Sequence, residues 1–335
     1  MLDSILLTEV NRGNSFESAH RGWVVVCDKD GNIINGTHKN YPEFFARSSI
    51  KPIQALPFIM AGGMETFNFS LSDLAVMCSS HSGELKHIER VNNILNTIGL
   101  KEEDLLCGTH TPYSSKVAKE LIEKRKEPTP IYCNCSGKHS GMLAICLMNN
   151  WDIKTYLEYN HPLQVEIRKH LTILTGLDAD KFEWGIDGCG IPTYKFPLDK
   201  LSKIFSYLIN YENAPAEYYE PFKMIHKAFI AYPDLIAGED RVDTVIMNAF
   251  KGRIISKIGG EAIFGMGLVK EKLSIAIKIE DGSNRPMIPT VIRCLELLGI
   301  DIENNPDLKT LKNYKITNNK GSEVGLVNPV FNFIN

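Results

Sequence analysis

No long hydrophobic run occurs in this 335-residue sequence. No window reaches the roughly eighteen uncharged apolar residues that a membrane-spanning helix needs, so no membrane partner is expected. An excess of either charge is missing too. The 37 Lys and Arg stand against 40 Asp and Glu, a net charge of −3 with no long basic block, which argues against nucleic acid as the main partner. The opening MLDSILLTEVNRGN carries Asp3 and Glu9 but neither a basic leader nor a small-residue cleavage site; it does not read as a secretory signal, and a cytoplasmic protein is expected. Eight cysteines (27, 78, 107, 133, 135, 146, 189, 294) spread along the chain without such a signal read as reduced thiols, not a disulfide framework. Repeats, low-complexity tracts and clear linkers are absent. A content of 44% hydrophobic and 23% charged residues is ordinary for a globular protein. The length fits one large domain or two intimately packed ones.

What is present divides into three parts. GWVVVCDKDGNIING reads as a hairpin turning at Asp30-Gly31. Helical periodicity follows from about residue 46: a run capped by Ser70-x-x-Asp73 through Met77, then a stripe of Ile88, Val91, Leu95 and Ile98 stopped by Gly99. Further helices are expected over 116–126, 140–149, 162–175, 198–210, 216–230 and 243–249. Strand character returns in GRIISKIGG, AIFGMGL and LSIAIKIED, followed by a helix in MIPTVIRCLELLG and a polar tail of loop and edge strand. The simplest fold is α+β. Early and late strands (1–45 and 250–335) share one antiparallel sheet, and a mainly helical block (46–249) lies beside it, the whole 1–335 forming a single unit. A cleft between sheet and helices is the expected place for a small ligand.

ARSSIKPIQALP (46–57) sets Ser48 three residues before Lys51. At that spacing a hydroxyl and an amine can share a helix face, whereas Ser49 points away. A lysine made less basic by burial and a neighbouring cation can take a serine's proton. S-x-x-K is the motif of serine β-lactamases and penicillin-binding proteins, but alone it fits a solvated surface helix equally well. Ser80 in CSSHSGE and Lys257 in SKIGG offer a second pair; an N-cap serine and an edge-strand lysine would account for them as simply. IYCNCSGKHSGM holds Cys133, Cys135, Lys138 and His139, and IDGCGIP holds Cys189. Their spacing matches no zinc finger, so they are either buried core thiols or a zinc site drawn together across the cleft, with an open position.

Taken in order, ESAHRG (17–22), ARSSIKPIQALP (46–57), SSHSGE (79–84), CNCSGKHSGML (133–143), HPLQ (161–164), DGCGIPT (187–193) and KIGGEAIF (257–264) resemble the rhizobial-type, or thermolabile, L-asparaginase family. The resemblance covers most of the chain. It implies a fold akin to glutaminases and serine β-lactamases, and hydrolysis of L-asparagine to L-aspartate and ammonia by two serine–lysine pairs beside a zinc ion. By motif position the pairs would be Ser48 with Lys51 and Ser80 with Lys257. Cys135, Lys138 and Cys189 would hold the zinc, with Asp187 close by, and Lys138 would have to be neutral to bind. Arg47, His81, Ser82, Asn134 and His139 are secondary candidates for substrate contacts, as is Asp187. A homodimer is implied. Two departures stand out: Cys133 replaces the family's usual asparagine, and Gly259-Gly260-Glu261 replaces Gly-Ala-Glu.

The expected chemistry is acyl transfer, in which one serine attacks the side-chain amide and its lysine accepts the proton. Backbone N–H groups near Ser48 and KIGG would steady the oxyanion, and the zinc would grip the α-carboxylate or α-amine. Two rivals use the same residues otherwise: a β-lactamase or penicillin-binding enzyme with a larger substrate, and a zinc or thiol sensor in which the serines are idle.

Overall fold

The structure, a computed structural model, describes residues 3–302, 304, 306–312 and 314–334. Met1 and Leu2 of the opening segment, and Glu303, Asn305, Asn313 and Asn335 of the tail, lie outside the described residues. The strands are β1 (Ile5–Arg12), β2 (Ser15–Cys27), β3 (Ile33–Gly36), β4 (Glu43–Phe45), β5 (Trp184–Ile186), β6 (Pro192–Pro197), β7 (Ile254–Ile258), β8 (Ile263–Leu268), β9 (Leu273–Ile279), β10 (Lys315–Thr317) and β11 (Glu323–Pro329).

The main sheet has eight strands in the order β10-β11-β1-β2-β9-β8-β7, with β3 beside the end of β2. Neighbours pair antiparallel throughout. Early and late strands therefore do share one sheet, and the β2–β3 hairpin turns where Asp30-Gly31 stands, with Gly31 at φ +80°. β7 and β8 are buried at every position. β8 therefore reads as an unbroken apolar run, without the alternation of a half-exposed strand, while β7 carries Ser256 and Lys257 at buried positions.

Three features differ from the sequence reading. β1 was not legible, because its Leu7 and Val10 are buried while the polar residues between them hide the pattern. A small second sheet, β4-β6-β5, lies within and just before the segment expected to be helical. The tail contains a helix, Pro306–Lys312, and β11 is an interior strand between β1 and β10, which leaves β10 as the edge.

Most helices form where periodicity and capping place them. Ser70 and Asp73 make a reciprocal capping box on the helix Leu71–Met77, satisfying amide groups that helix starts leave free. The helix Pro162–Thr175 begins on proline and ends at Gly176 in the left-handed conformation, as Gly at that position favours. Helix Ser136–Met148 starts four residues earlier than periodicity suggests, so Lys138 and His139 sit in its first turn.

Helix Leu71–Met77 runs through the middle of the helical block, against helices Ser136–Met148 and Tyr219–Ala231. The first of these contacts needs Gly137: a Cβ there would come within 2.3 Å of the Val76 carbonyl oxygen. This close approach brings the start of one helix beside the end of the other. Fully buried Phe205, Phe229 and Phe264 help join helices to sheet, each contributing about 1.5–3 kcal/mol by burial. Among the described residues no helix is long and apolar enough to cross a membrane.

Candidate active site

Two lysines lie at the junction of sheet and helices. A 3₁₀ turn, Arg47–Ile50, runs directly into the helix Lys51–Gln54, where Pro52 sets the first turn. A second helix start at Leu56-Pro57 keeps these segments short. Lys51 is 1% exposed and Lys257, on edge strand β7, is 0% exposed. The Lys51 ammonium donates to Ser80 Oγ at 3.0 Å and to the carbonyl oxygens of Ser79 and Asn134. Lys257 Nζ donates to Ile258 O at 2.8 Å and lies 3.4 Å from Asp243 Oδ2. Burial lowers the Lys257 pKa to about 8; Asp243 opposes the shift, and the nearby Lys51 and Arg241 cations reinforce it.

Ser80 follows the helix Leu71–Met77 in a loop whose backbone is held by Ile236 O, 2.9 Å from the Ser80 amide. Ser48 takes a different place from the one its spacing suggests. Its hydroxyl has no hydrogen bond to Lys51 among the described residues; instead it lines two adjoining cavities. One, of about 330 Å³, is also lined by Ser80, Tyr113, Asn134, Arg241 and Ile258–Gly260. The other, of about 320 Å³, is lined by Arg47, Cys133, Cys135, Asp187 and Cys189 among others. Tyr113, Asn134 and Gly260 border both. The cleft so formed suits a small polar molecule. Ser49 is fully buried and donates to Ala46 O at 2.6 Å, facing away from the cleft as expected.

The backbone around Ser48 is strained. Arg47 has φ +49°, and on the facing turn Glu261 and Ala262 have φ +58° and +50°, a region disfavoured for residues with a Cβ. Arg47 pairs with Asp187 through Nε at 2.9 Å and Nη2 at 2.8 Å. A Cβ on Gly260 would come within 3.0 Å of this guanidinium, so glycine at that departure from Gly-Ala-Glu gives the Arg47 head room. Of the amides expected to hold an oxyanion, those of Ser49 and Gly259 are already engaged, by Ala46 O at 3.1 Å and Ile263 O at 2.7 Å.

On the thiol side, residues more than fifty positions apart come together. Lys138 Nζ is 2.9 Å from Cys189 Sγ. Hydrogen bonds from Cys133 and then Cys189 hold the Cys135 thiol well below its ordinary pKa, while the bond to Cys135 pushes Cys189 well above. Burial pulls Lys138 down, yet the Cys135 and Cys189 sulfurs outweigh it and raise it. Cys133 points its sulfur at Cys107 O, 3.6 Å away. Among the described residues no group of three or more His, Cys, Asp or Glu side chains could hold a metal; the convergent trio here includes a lysine. Two soft sulfurs and an amine, buried beside an open cavity, nonetheless form a donor set that zinc accepts, provided the amine is neutral.

The secondary candidates separate into two groups. Arg47, Asn134 and Asp187 border the cleft. His81, Ser82 and His139 are buried behind it. His81 has both ring nitrogens engaged, with Ser136 Oγ at 2.8 Å and the Gly83 amide at 3.1 Å, and stacks on His87 at 5.1 Å. Ser82 donates to Ala237 O. His139 bonds Tyr156 Oη at 2.7 Å through Nδ1, while its Nε2 is buried without a partner among the described residues.

Four residues of the site carry no local signal in the sequence. Asp243, in the first turn of the helix Val242–Phe250, accepts from Ser256 Oγ at 3.0 Å and from the Ile258 amide as well as facing Lys257. His110 accepts from the Asn134 amide at 2.9 Å. Arg241 lies over the Tyr113 ring, with Cζ 4.6 Å from the ring centre. EDRVDT and GTHTPY look like loop and helix-start segments, and only tertiary packing brings them to the cleft.

A family model described as L-asparaginase II matches residues 8–329, which takes in every residue of both cavities. No curated protein matches the chain.

Proposed function

Since the chain belongs to the L-asparaginase II family, and so is an amidohydrolase acting on asparagine, we propose that it hydrolyses L-asparagine to L-aspartate and ammonia by acyl-serine chemistry at Ser48, Lys51, Ser80 and Lys257, beside a zinc ion held by Cys135, Lys138 and Cys189. What carries this reading is one contact: the buried Lys51 ammonium donates to Ser80 Oγ at 3.0 Å, at the wall of the cavity that Ser48 also lines.

Ser48 is the candidate nucleophile, because it lines the cleft and its hydroxyl has no hydrogen-bond partner among the described residues. Its oxygen bonds to the side-chain amide carbon, and a neutral lysine takes the proton. That proton then passes to the departing nitrogen, which leaves as ammonia. Water attacks the resulting aspartyl ester, one of its protons returning to the serine as aspartate is released. Lys257, with its pKa lowered to about 8, supplies neutral amine near physiological pH. Lys51, donating to three oxygens, orients Ser80 and offers an N–H donor to the negative charge growing in the transition state.

Cys135, Lys138 and Cys189 would hold the zinc ion, which when bound supplies a fixed positive charge and Lewis acidity next to the cleft. The strained Arg47 turn, tied to Asp187, keeps the wall between the serine and thiol sides fixed. A cytoplasmic homodimer belongs to the same proposal.

Ammonia release from asparagine, measured beside glutamine and a chromogenic β-lactam, tests the activity. Preferential turnover of asparagine supports it, and β-lactam hydrolysis without ammonia from asparagine overturns it.

A further inference from the structure

The cations that line the cleft or lie buried behind it are not equally committed. Lys51 is tied to Ser79, Ser80 and Asn134, Lys257 to Asp243, Lys138 to Cys189 and Arg47 to Asp187. Arg241 differs. Its guanidinium forms no ion pair with any described residue, and its Nη1 is buried with no hydrogen-bond partner. Its Cζ lies over the Tyr113 ring, 4.6 Å from the centre, and it lines the cavity that holds Ser48 and Ser80.

A buried donor without a partner loses the hydrogen bonds that water would have given it, so it calls for an explanation. Lying over an aromatic ring engages only the charge of a guanidinium. The N–H groups lie in its plane and remain free, in the fork that matches a carboxylate. The amino acid handled at this site has one carboxylate at the end opposite its reacting amide. We infer that Arg241, held on Tyr113, is the substrate-binding residue that grips the α-carboxylate of asparagine and sets its amide carbon against the serine. Arg47, the cation that sequence alone favours, is already neutralised by Asp187. The inference rests on the proposed activity for the identity of the ligand, while the site itself needs only a small α-amino carboxylate.

The experiment compares wild type with Arg241→Leu, Arg241→Lys and Tyr113→Leu. It measures kcat and KM for asparagine and for 3-aminopropanamide, which is asparagine without its carboxylate, and the Kd of L-aspartate by calorimetry. Losing a charge-assisted pair should raise both the asparagine KM and the aspartate Kd by roughly 10- to 150-fold in Arg241→Leu. The kcat should change less, and 3-aminopropanamide should show only the small change in pH profile that follows from removing a cation near Lys257, with no comparable rise in KM. Arg241→Lys keeps the charge without the fork and should fall between, and Tyr113→Leu should shift in the same direction. If Arg241→Leu does not fold, the intermediate, asparagine-only rise in Arg241→Lys carries the test. Equal losses for both substrates, or an unchanged asparagine KM and aspartate Kd, would overturn the assignment. A wild type that binds L-aspartate through Arg241 yet releases no ammonia from asparagine would refute the activity while leaving the carboxylate site standing.

Discussion

Lys51 Nζ meets Ser80 Oγ, 29 positions along the chain, at 3.0 Å, and not Ser48, its neighbour at three residues. The short helix after Pro52 turns the lysine inward, where the loop leaving the helix Leu71–Met77 presents both the Ser79 carbonyl and the Ser80 hydroxyl. Local spacing thus brings Lys51 into the site, and tertiary packing chooses its partner.

From that contact the first prediction follows. Ser48→Ala, Ser80→Ala and Lys51→Met should each lower kcat on the order of 10³-fold, since the first removes the nucleophile and the others break the hydrogen-bonded pair that steadies charge beside it. The losses should not add, because the three act as one unit. Ser49→Ala is the control: its hydroxyl is bonded to Ala46 O, so stability should drop by about 1 kcal/mol with little change in kcat. Near wild-type turnover in Ser48→Ala would refute its role as nucleophile, and steady-state kinetics on folded variants decides it.

The second prediction concerns pH. Burial sets the Lys257 pKa at about 8, below its ordinary value, so the amine is charged below that pH and neutral above it. Base catalysis needs the neutral form, and kcat/KM should rise as pH passes through about 8. Stability moves the same way. Between about 8 in the folded chain and about 10.4 in the unfolded one, unfolding takes up a proton, so stability climbs across that window. Lys257→Met should abolish both slopes. A wild-type profile flat from about pH 6 to about pH 10 would rule out this lysine as the base.

Asp243 provides the third. It and Lys257 are both wholly buried, 3.4 Å apart, so Asp243→Asn leaves an unpaired charge inside the protein. Breaking a buried pair this way costs about 3–5 kcal/mol near neutral pH. The loss should shrink as pH rises above about 8, where Lys257 is already neutral. Without its counter-charge Lys257 should also titrate lower, moving the rising limb of activity toward acid. Asp243→Asn combined with Lys257→Met should be more stable than Asp243→Asn alone, because no bare charge remains. Denaturant unfolding at about pH 7 and about pH 9.5 measures both effects; equal stability of wild type and Asp243→Asn at the lower pH would refute the coupling.

Much of this was legible in the sequence wherever the signal is local. The helix Pro162–Thr175 carries its proline start and glycine stop within itself, and Ser70 and Asp73 announce the helix they cap. The site is legible where residues stand next to one another, as in Arg47-Ser48 or Cys135 to Lys138. What cannot be read is which distant groups meet. Asp243 and Arg241 look like ordinary residues at a helix start, and only the packing of that helix against β7 turns one toward Lys257 and the other toward the cleft. β1 and the small β4-β6-β5 sheet escaped for a related reason: their strands are short or broken by polar residues, and pairing across the fold stabilises them.

The last prediction is the metal. Lys138 Nζ and Cys189 Sγ are 2.9 Å apart, and Cys135 and Cys189 both line the cavity; Cys135, Lys138 and Cys189 are the donors that would hold the ion. A chain of this size has a core large enough to fold without the ion, so chelation should leave the protein folded, unlike a zinc finger. Wild type should carry zinc when its metal content is measured by mass spectrometry. Cys189→Ser should lose it, and its KM for asparagine should rise more than its kcat falls, because Ser48, Ser80 and both lysines remain in place. Cys133→Ser should keep the metal, since Cys133 is not one of the three proposed donors and a serine there can still donate to Cys107 O or Cys135. Full zinc in Cys189→Ser, or loss confined to Cys133→Ser, would show that the ion is held by other thiols, and a zinc-free wild type with unimpaired turnover would remove the metal from the scheme.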